Sequence, residues 1–312
     1  MPKPLIRKLG TLDCDIIETT PVVWQGRLLR FEYVQAMHWN NHTGRSFYHF
    51  VDMETGAEAA PPFAWGMNYG SAHVEGDTMY VIGSRPRPDD SKMDVFWSRD
   101  LVNWETQPAL DLPGWGFYNQ SFCKGPDRYI MAFEVGEPAE LVGQRFTCFF
   151  AESDDLKTWR LLPPEDHVYA RDRYTACPVI RWLEPYYYMI YLELFHNPPD
   201  APIETWRIEE CTLEPYMVRT RDFVNWESSP HNPVLSISPE DKWLANPNFT
   251  EEQKAHIAGA VNRNNSDVDL CEYRGQTIIL YSWGAQSGTE FLAEAIYDGP
   301  LDQFFHAFYD EA

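Results

Sequence analysis

The sequence predicts an all-β fold, namely a five-bladed β-propeller with four-stranded antiparallel blades, formed as a single domain by residues 1–312. Two repeats predict it. A seven-residue phrase ending in Trp occurs three times, and a hairpin pattern occurs five times at about the spacing of a propeller blade. The long apolar patterns of helical period that an α/β fold would need between its strands are absent from the sequence.

Each hairpin pattern consists of a short strand, a turn and a second strand rich in aromatic and β-branched residues. The turns are separated by 50, 49, 59 and 91 residues, at Gly26, Gly76, Gly125, Glu184 and Gly275. The first two steps match the period of a four-stranded blade, so the two longer steps indicate insertions. Five such units can close into a ring, which leaves few strand edges exposed.

The repeated phrase is Ser/Thr-x-Asp-Leu/Phe-x-x-Trp, at residues 98–104, 153–159 and 220–226. We expect its Asp to accept hydrogen bonds from nearby backbone N–H groups, and its Trp to pack over the loop. The phrase should therefore connect the third and fourth strands of blades two, three and four. Residues 50–56 are interpreted as a variant in blade one, and residues 297–302 end the last blade.

Two segments depart from the strand pattern. Residues 248–259 are predicted to contain one short helix, because Thr250 is a suitable N-cap and acidic residues follow it. The prolines of residues 197–203 predict a loop.

Composition excludes several classes of partner. The chain has 47 acidic and 25 basic residues, for a net charge of -22, so we expect neither nucleic acid nor a membrane as a partner. The N-terminus has no apolar run typical of a signal peptide, and no segment is apolar enough to span a bilayer, which predicts a cytoplasmic location. The six cysteines are widely separated and are expected to be reduced and mostly buried. Composition indicates no oligomeric state.

Polar residues at the starts of the first strands are the candidate site, because these strands meet at the axis of a propeller. The segments are residues 18–21, 71–73, 119–121, 172–175 and 264–269. Candidate ligand contacts in or near them are His73, Arg85, Asn119, Gln120, Arg173, Tyr174, Asn265 and Trp283.

Carboxyl groups are the candidate catalytic residues. Glu18, Asp172, Asp267 and Asp269 lie in the axial segments, Glu134 and Glu193 follow second strands, and Glu290 follows a Gly-Thr turn. Asp267 and Asp269 are expected to share one face of a strand, since side chains alternate with period two. Cys177 begins the fourth hairpin pattern and is the one cysteine considered as a candidate for the lining of the site.

The repeated phrase, the Gly-x-x-Tyr strand turns and the five units resemble glycoside hydrolase family 43, the arabinanases and xylosidases, together with the related invertase and family 117 groups. The resemblance implies an inverting glycosidase with an Asp base at the start of blade one, an Asp that tunes the acid, and a Glu acid. Here the blade-one position reads Thr20-Pro21, and the chain has neither an Asp-Pro pair nor the invertase signature Trp-x-Asn-Asp-Pro. The catalytic carboxyl groups are therefore expected elsewhere, for example at Asp172, Asp267 or Glu18.

The leading hypothesis is an exo-acting, inverting glycoside hydrolase that cleaves an oligosaccharide or glycoside in the axial funnel. Asp267 and Asp269 would supply the base and the tuning carboxylate, and Glu193 or Glu290 the acid, because this hydrolysis needs a base and an acid of raised pKa. The alternatives are a sugar phosphorylase or lyase using Arg85, Arg171 and Arg173, or a non-catalytic carbohydrate-binding propeller whose carboxyl groups titrate normally. No cofactor is expected. No ligand spacing requires a metal, although related propellers often hold a divalent cation on the axis.

Overall fold

The computed structural model describes residues 3–143, 146–196, 207, 210–286 and 288–310. The loop predicted at residues 197–203 lies outside these ranges. After the N-terminal strand β1 (Arg7–Cys14), the strands follow in five antiparallel groups. These are β2 (Thr20–Trp24), β3 (Arg27–Val34) and β4 (Phe47–Asp52); β5 (Asn68–Glu75), β6 (Thr78–Ser84), β7 (Lys92–Ser98) and β8 (Glu105–Asp111); β9 (Gly116–Lys124), β10 (Tyr129–Glu137), β11 (Thr147–Ser153) and β12 (Arg160–Leu161); β13 (Ala176–Leu183), β14 (Tyr186–His196), β15 (Cys211–Thr220) and β16 (Trp226–Ser228); and β17 (Asn264–Tyr273), β18 (Gln276–Gly284) and β19 (Phe291–Tyr297).

The first and last groups are completed by segments from elsewhere in the sequence. In the first group, residues 57–63 return beside β4 through bridges at Glu58 and Phe63. In the fifth group, β1 pairs antiparallel with β19 and supplies the fourth strand, which the sequence did not predict. One parallel bridge, between Leu213 and Asn264, joins the fourth and fifth groups.

The first strands of the groups lie against one another in a closed order, β2, β5, β9, β13, β17 and back to β2. Apolar side chains fill the spaces between successive groups. For example, Phe31 and Tyr48 of the first group share a core with Met79 and Val81 of the second. Burial of this apolar area stabilises each interface between groups, and it holds the starts of the first strands close together.

The predicted turn of the repeated phrase is confirmed in all three copies. Each Asp accepts hydrogen bonds from the backbone N–H groups two and three residues later, at 2.8 to 3.0 Å. Each Trp indole donates to the backbone carbonyl three residues earlier, at 3.0 to 3.3 Å. The residues are Asp100 and Trp104, Asp155 and Trp159, and Asp222 and Trp226. In the first group Asp52 accepts comparable bonds from the backbone of Glu54 and Thr55 at 3.1 and 3.0 Å.

Helices are few and short: α1 (Ala139–Val142), a 3₁₀ helix (Pro239–Lys242), α2 (Glu251–Gly259) and α3 (Leu301–Ala307). The predicted helix is confirmed as α2, where the Thr250 hydroxyl accepts from the Gln253 N–H at 3.2 Å. The 3₁₀ helix and α2 lie between β16 and β17, within the longest step of the hairpin repeat. Among the described residues, no helix combines the length and apolar content needed to cross a membrane. All six cysteines are free thiols.

Candidate active site

A solvent-open cavity lies where the first strands of all five groups begin, with about 320 Å³ of empty space when the adjoining open solvent is included. Its lining includes one or more polar side chains from each group, among them Glu18, Ser71, Asn119, Gln120, Cys177 and Asp267. The structure thus brings together the segments at residues 18–21, 71–73, 119–121 and 264–269 that the sequence placed at the axis. The fourth group contributes residues 177–179 to the lining instead of residues 172–175.

Local breaks in the strands turn these side chains toward the cavity. Register shifts occur in β5, β13 and β17 at Tyr69, Cys177 and Asp267, whose φ angles are 31°, 49° and 46°. Glu18, just before β2, also has a positive φ of 56°. Such left-handed residues at β-bulges redirect a side chain at a backbone cost that the surrounding fold must offset. Asp267 and Asp269 both line the cavity, and the register shift of β17 lies between Ser266 and Asp269.

Three carboxyl groups gather around Asn119 and Cys177. Glu134, on β10, accepts a hydrogen bond from the Cys177 N–H at 2.9 Å and one from the Asn119 amide at 3.3 Å. The same Asn119 amide nitrogen lies 3.2 Å from the Cys177 sulfur. Asp267 accepts a hydrogen bond from the Ser266 hydroxyl at 2.9 Å and also interacts with the Cys177 thiol. Glu18 faces both Asp267 and Glu134.

Burial raises the pKa of every carboxyl group in this cluster. It raises the pKa of Glu134 to about 7, although hydrogen bonds from Cys177 and Asn119 favour the charged form and lower this pKa. It raises the pKa of Glu18 well above its ordinary range, and the charges of Asp267 and Glu134 raise it further. The pKa of Asp267 is also raised by burial, but hydrogen bonds from Cys177 and Ser266 oppose the rise. The pKa values of both groups are thus raised, and that of Glu18 is raised further because the charges of Asp267 and Glu134 add to the effect of its burial.

Asp269 lines the same cavity but is neutralised by Arg181 on β13. The guanidinium donates to the Asp269 carboxylate, to the Leu270 carbonyl at 2.9 Å and to the Ser121 hydroxyl at 3.3 Å. Arg181 thereby links the third, fourth and fifth groups beneath the cavity. Burial, assisted by the nearby Arg181 charge, lowers the pKa of His73 to about 4. His73 does not line the cavity, and its nearest carboxylate oxygen is on Glu75 at 3.9 Å.

The residues near the axis do not fit a metal held by protein ligands. Within the described ranges, no three His, Cys, Asp or Glu side chains are grouped as metal ligands would be. The position beneath the cavity already contains the Arg181 guanidinium, which would repel a cation.

Glu290 lies beside the cluster without lining the cavity. Gly284 leaves room for it, because a Cβ there would come within 2.6 Å of a Glu290 carboxylate oxygen. The carboxylate accepts a hydrogen bond from the Gln286 N–H. Burial raises the pKa of Glu290 to about 7, and the charge of Asp267 also raises it. Glu290 is thus close enough to Asp267 to influence it electrostatically.

Several predicted site residues lie away from the cavity. Asp172 and Arg173 pair with each other on the surface at 3.2 Å, and the Asp172 side chain is 74% exposed. Arg85 forms a bidentate ion pair with Asp94 at 2.7 and 2.8 Å. Glu193 accepts a hydrogen bond from the Tyr191 hydroxyl at 2.8 Å, outside the cavity. Each of these side chains has its partner outside the cavity lining.

Two further predicted contacts are buried in the protein interior. Asn265 has no exposed surface, and its side chain bonds to Lys8 and Asp241. Trp283 is likewise fully buried, stacks on Phe291 and donates to the Thr11 hydroxyl at 3.0 Å. Tyr174 remains near the cavity mouth, with its ring edge against Phe146.

Arg181 was not identified from the sequence, although a signal was present. It is the one charged residue of the otherwise uncharged strand Ala176–Leu183. A charge in a buried strand requires a partner, which identifies such a residue as part of a polar site.

Comparison with known proteins identifies the fold. No family model matches the chain. No curated protein matches it either. Among solved structures, one described as a glycoside hydrolase is 13% identical with a TM-score of 0.58, covering 96% of this chain and 92% of that one. The fold is that of the propeller-type glycoside hydrolases.

Two further propeller-type glycoside hydrolase structures agree with this result. A glycosyl hydrolase from Bacteroides ovatus is 12% identical with a TM-score of 0.56, and the match covers 91% of this chain and 84% of that one. An exo-1,5-alpha-L-arabinanase from a bovine ruminal metagenomic library is 10% identical with a TM-score of 0.54, and 90% and 92% are covered. The resemblance inferred from the repeats is therefore confirmed at the level of fold. Identities this low do not transfer an activity.

Proposed function

We propose that this protein is a glycoside hydrolase whose five strand groups are the blades of a five-bladed propeller and whose active site is the axial cavity. The observation that carries the proposal is the pair formed by Glu18 and Asp267. Both line one cavity, and each influences the ionisation of the other. Hydrolysis of a glycosidic bond needs one carboxyl group with a proton and one without.

The proposed roles follow from the environments of the two groups. Asp267, which accepts a hydrogen bond from the Ser266 hydroxyl and interacts with the Cys177 thiol, is the base that takes a proton from water. Glu18 is the acid that gives its proton to the departing glycosidic oxygen. The water oxygen bonds to the anomeric carbon as the bond to the leaving oxygen breaks. The resemblance of the fold implies this inverting course.

An exo-acting enzyme is proposed because the cavity is bounded below. Arg181 and Asp269 join the first strands of the fourth and fifth groups beneath the cavity, so a polysaccharide chain cannot pass through it. In this proposal a chain end, or a small glycoside, places its terminal sugar beside Glu18 and Asp267.

The charge of the site disfavours a phosphorylase or a lyase. Either would need a cation to hold phosphate or a uronate. Arg85 is paired with Asp94, Arg173 is paired with Asp172, and Arg171 donates to the Pro164 carbonyl. The raised pKa values of Glu18 and Glu134 in turn disfavour a purely carbohydrate-binding propeller.

The proposed acid is tested by comparing the activity of Glu18→Gln on two kinds of substrate that differ in their leaving group. Wild-type protein is first assayed on nitrophenyl glycosides and neutral oligosaccharides, with the product anomer followed by NMR. Glu18→Gln should lose far more activity on oligosaccharides than on nitrophenyl glycosides, because nitrophenolate leaves without protonation. Glu193→Gln is the matched control and should match wild type. Equal activity of Glu18→Gln and wild type on oligosaccharides would overturn the assignment, and a retained anomer would overturn the inverting course.

A further inference from the structure

A chain of five aromatic rings, next to the cavity but outside its lining, crosses the first four strand groups. Neighbouring ring centroids are 5.8, 5.4, 4.7 and 5.8 Å apart. In order, the rings are those of Tyr33, Tyr69, Tyr118, Phe146 and Tyr174, which we call the aromatic collar. All but Tyr33 are partly exposed.

The collar surrounds the carboxyl cluster. Tyr69 and Tyr118 immediately precede the cavity residues Gly70 and Asn119 in the sequence, and Tyr174 lies three residues before Cys177. Burial raises the pKa of Tyr69, and the charges of Glu18 and Glu134 raise it further. The Tyr69 phenol therefore remains protonated at neutral pH and can donate a hydrogen bond.

Polar atoms without partners lie below the collar. Over the ranges that the structure describes, the Thr19 and Ser71 hydroxyls and the Gln120 carbonyl oxygen are buried and have no hydrogen-bond partner. Their residues are 2%, 4% and 5% exposed, and all three line the cavity. Buried polar atoms are rarely left unpaired. This set therefore indicates either several bound waters or a ligand that carries several hydroxyl groups.

The charges at the cavity limit what that ligand can be. Its ionisable lining residues are Glu18, Asp267, Asp269 and Cys177, with no Lys or Arg among the described residues of the lining. Arg181, beneath it, is already engaged by Asp269. A carboxylate or phosphate on the ligand would meet like charge without a compensating cation.

We infer that the collar is a binding subsite for neutral sugar units, whose C–H faces lie against its rings while Thr19, Ser71 and Gln120 hydrogen-bond to hydroxyl groups. A uronic acid is expected to bind more weakly than a neutral sugar, because the described lining includes Asp267 and no Lys or Arg. This inference rests on the proposed function and adds the substrate class to it. Aromatic rings suit this role because they present a large apolar face with little conformational freedom to lose.

Binding without turnover tests the subsite. Titration calorimetry is done on Asp267→Asn protein with xylotriose, arabinotriose, mannotriose and trigalacturonic acid. At least one neutral trisaccharide should bind, and trigalacturonic acid should bind at least about tenfold more weakly. Adding Tyr118→Ala should weaken the neutral ligand about tenfold, whereas Tyr118→Phe, which keeps the ring, should not. Trp243→Ala, at a 55% exposed aromatic residue outside the collar, is the matched control.

The outcomes distinguish a failure of the subsite from a failure of the proposed reaction. If no trisaccharide binds, if trigalacturonic acid binds best, or if Tyr118→Ala binds like the control, the subsite is wrong even when wild-type protein hydrolyses a glycoside. If neutral binding depends on Tyr118 but wild-type protein hydrolyses nothing, the subsite stands and the proposed function fails. Phe146→Leu replaces Tyr118→Ala if that variant does not fold.

Discussion

At the scale of single residues, burial acts on the carboxyl groups of the cavity more strongly than their partners do. Glu134 is 3% exposed and accepts two hydrogen bonds that favour its charged form, yet its pKa is raised to about 7. The local backbone adds a second effect, because Cys177 and Asp267 reach the cluster from left-handed conformations. Both effects lower the folding stability, and together they form a site whose carboxyl groups exchange protons near neutral pH.

Replacing Glu134 with Gln should change how stability depends on pH. The folded-state pKa of about 7 exceeds the ordinary value of 4.5, so the folded protein holds this proton more tightly than the unfolded chain. That contribution to wild-type stability is present below pH 4.5 and is lost as the pH rises through 7. The unfolding free energy of Glu134→Gln relative to wild type should therefore increase by roughly 3 kcal/mol across this window.

Urea unfolding from pH 4.5 to 8 measures this difference for Glu134→Gln and wild type. Glu105→Gln, at an exposed position on β8, is the matched control and should show a constant difference. A constant difference for Glu134→Gln as well would mean that Glu134 ionises in the folded protein as it does in the unfolded chain.

The sequence predicted part of this site. Asn119, Gln120, Asp267 and Asp269 were placed at the axis because the hairpin repeat identifies the first strands. Asp172 was misplaced, because the repeat locates a strand only to within a few residues, and β13 begins four residues after it. The bulge that turns Asp267 inward depends on contacts between groups, which a periodic pattern does not contain.

At the scale of elements, the repeated turn phrase stabilises the link between third and fourth strands through local contacts. Its Asp hydrogen bonds and its Trp hydrogen bond all join residues at most three apart. This is why the turn could be predicted from the sequence alone. Strand β1 could not, because its partner β19 lies at the other end of the chain and nothing local marks the pairing.

Truncating Trp159 should destabilise the third group strongly. The side chain is 5% exposed, and its indole donates to the Leu156 carbonyl at 3.1 Å. Trp159→Ala should lower the unfolding free energy by about 3–5 kcal/mol, and Trp159→Phe, which keeps an aromatic ring, by about 1–2 kcal/mol. Urea denaturation measures both. Equal losses would show that the hydrogen bond, and not ring burial, dominates this turn.

At the scale of the whole molecule, the chain is closed by its own two ends. Strand β1 pairs with β19, and Gly10 approaches the backbone of Trp243 so closely that a Cβ would lie 2.3 Å from its carbonyl oxygen. A buried ion pair holds this strand: the Lys8 ammonium lies 2.6 Å from Asp241, and their side chains are 8% and 0% exposed. Closure by β1 keeps the starts of all five first strands, and hence the cavity, in register.

Breaking this ion pair from one side should destabilise the whole fold. Lys8→Met and Asp241→Asn should each lower the unfolding free energy by about 3–5 kcal/mol, because each leaves a buried polar partner uncompensated. The double variant should lose less than the sum of the single losses. Urea unfolding measures all three. Lys254→Met, at a side chain that is 39% exposed, is the control and should stay within about 0.5 kcal/mol of wild type. Additive losses would contradict the role assigned to the pair.

The central claim is that the axial cavity hydrolyses a glycosidic bond with Asp267 as base. Its most direct test compares kcat/KM of wild type, Asp267→Asn and Asp172→Asn on the best neutral glycoside, with folding checked by circular dichroism. We expect Asp267→Asn to lose about 10²–10⁴-fold, and the surface variant Asp172→Asn to match wild type. Full activity in folded Asp267→Asn, or an equal loss in Asp172→Asn, would contradict the account.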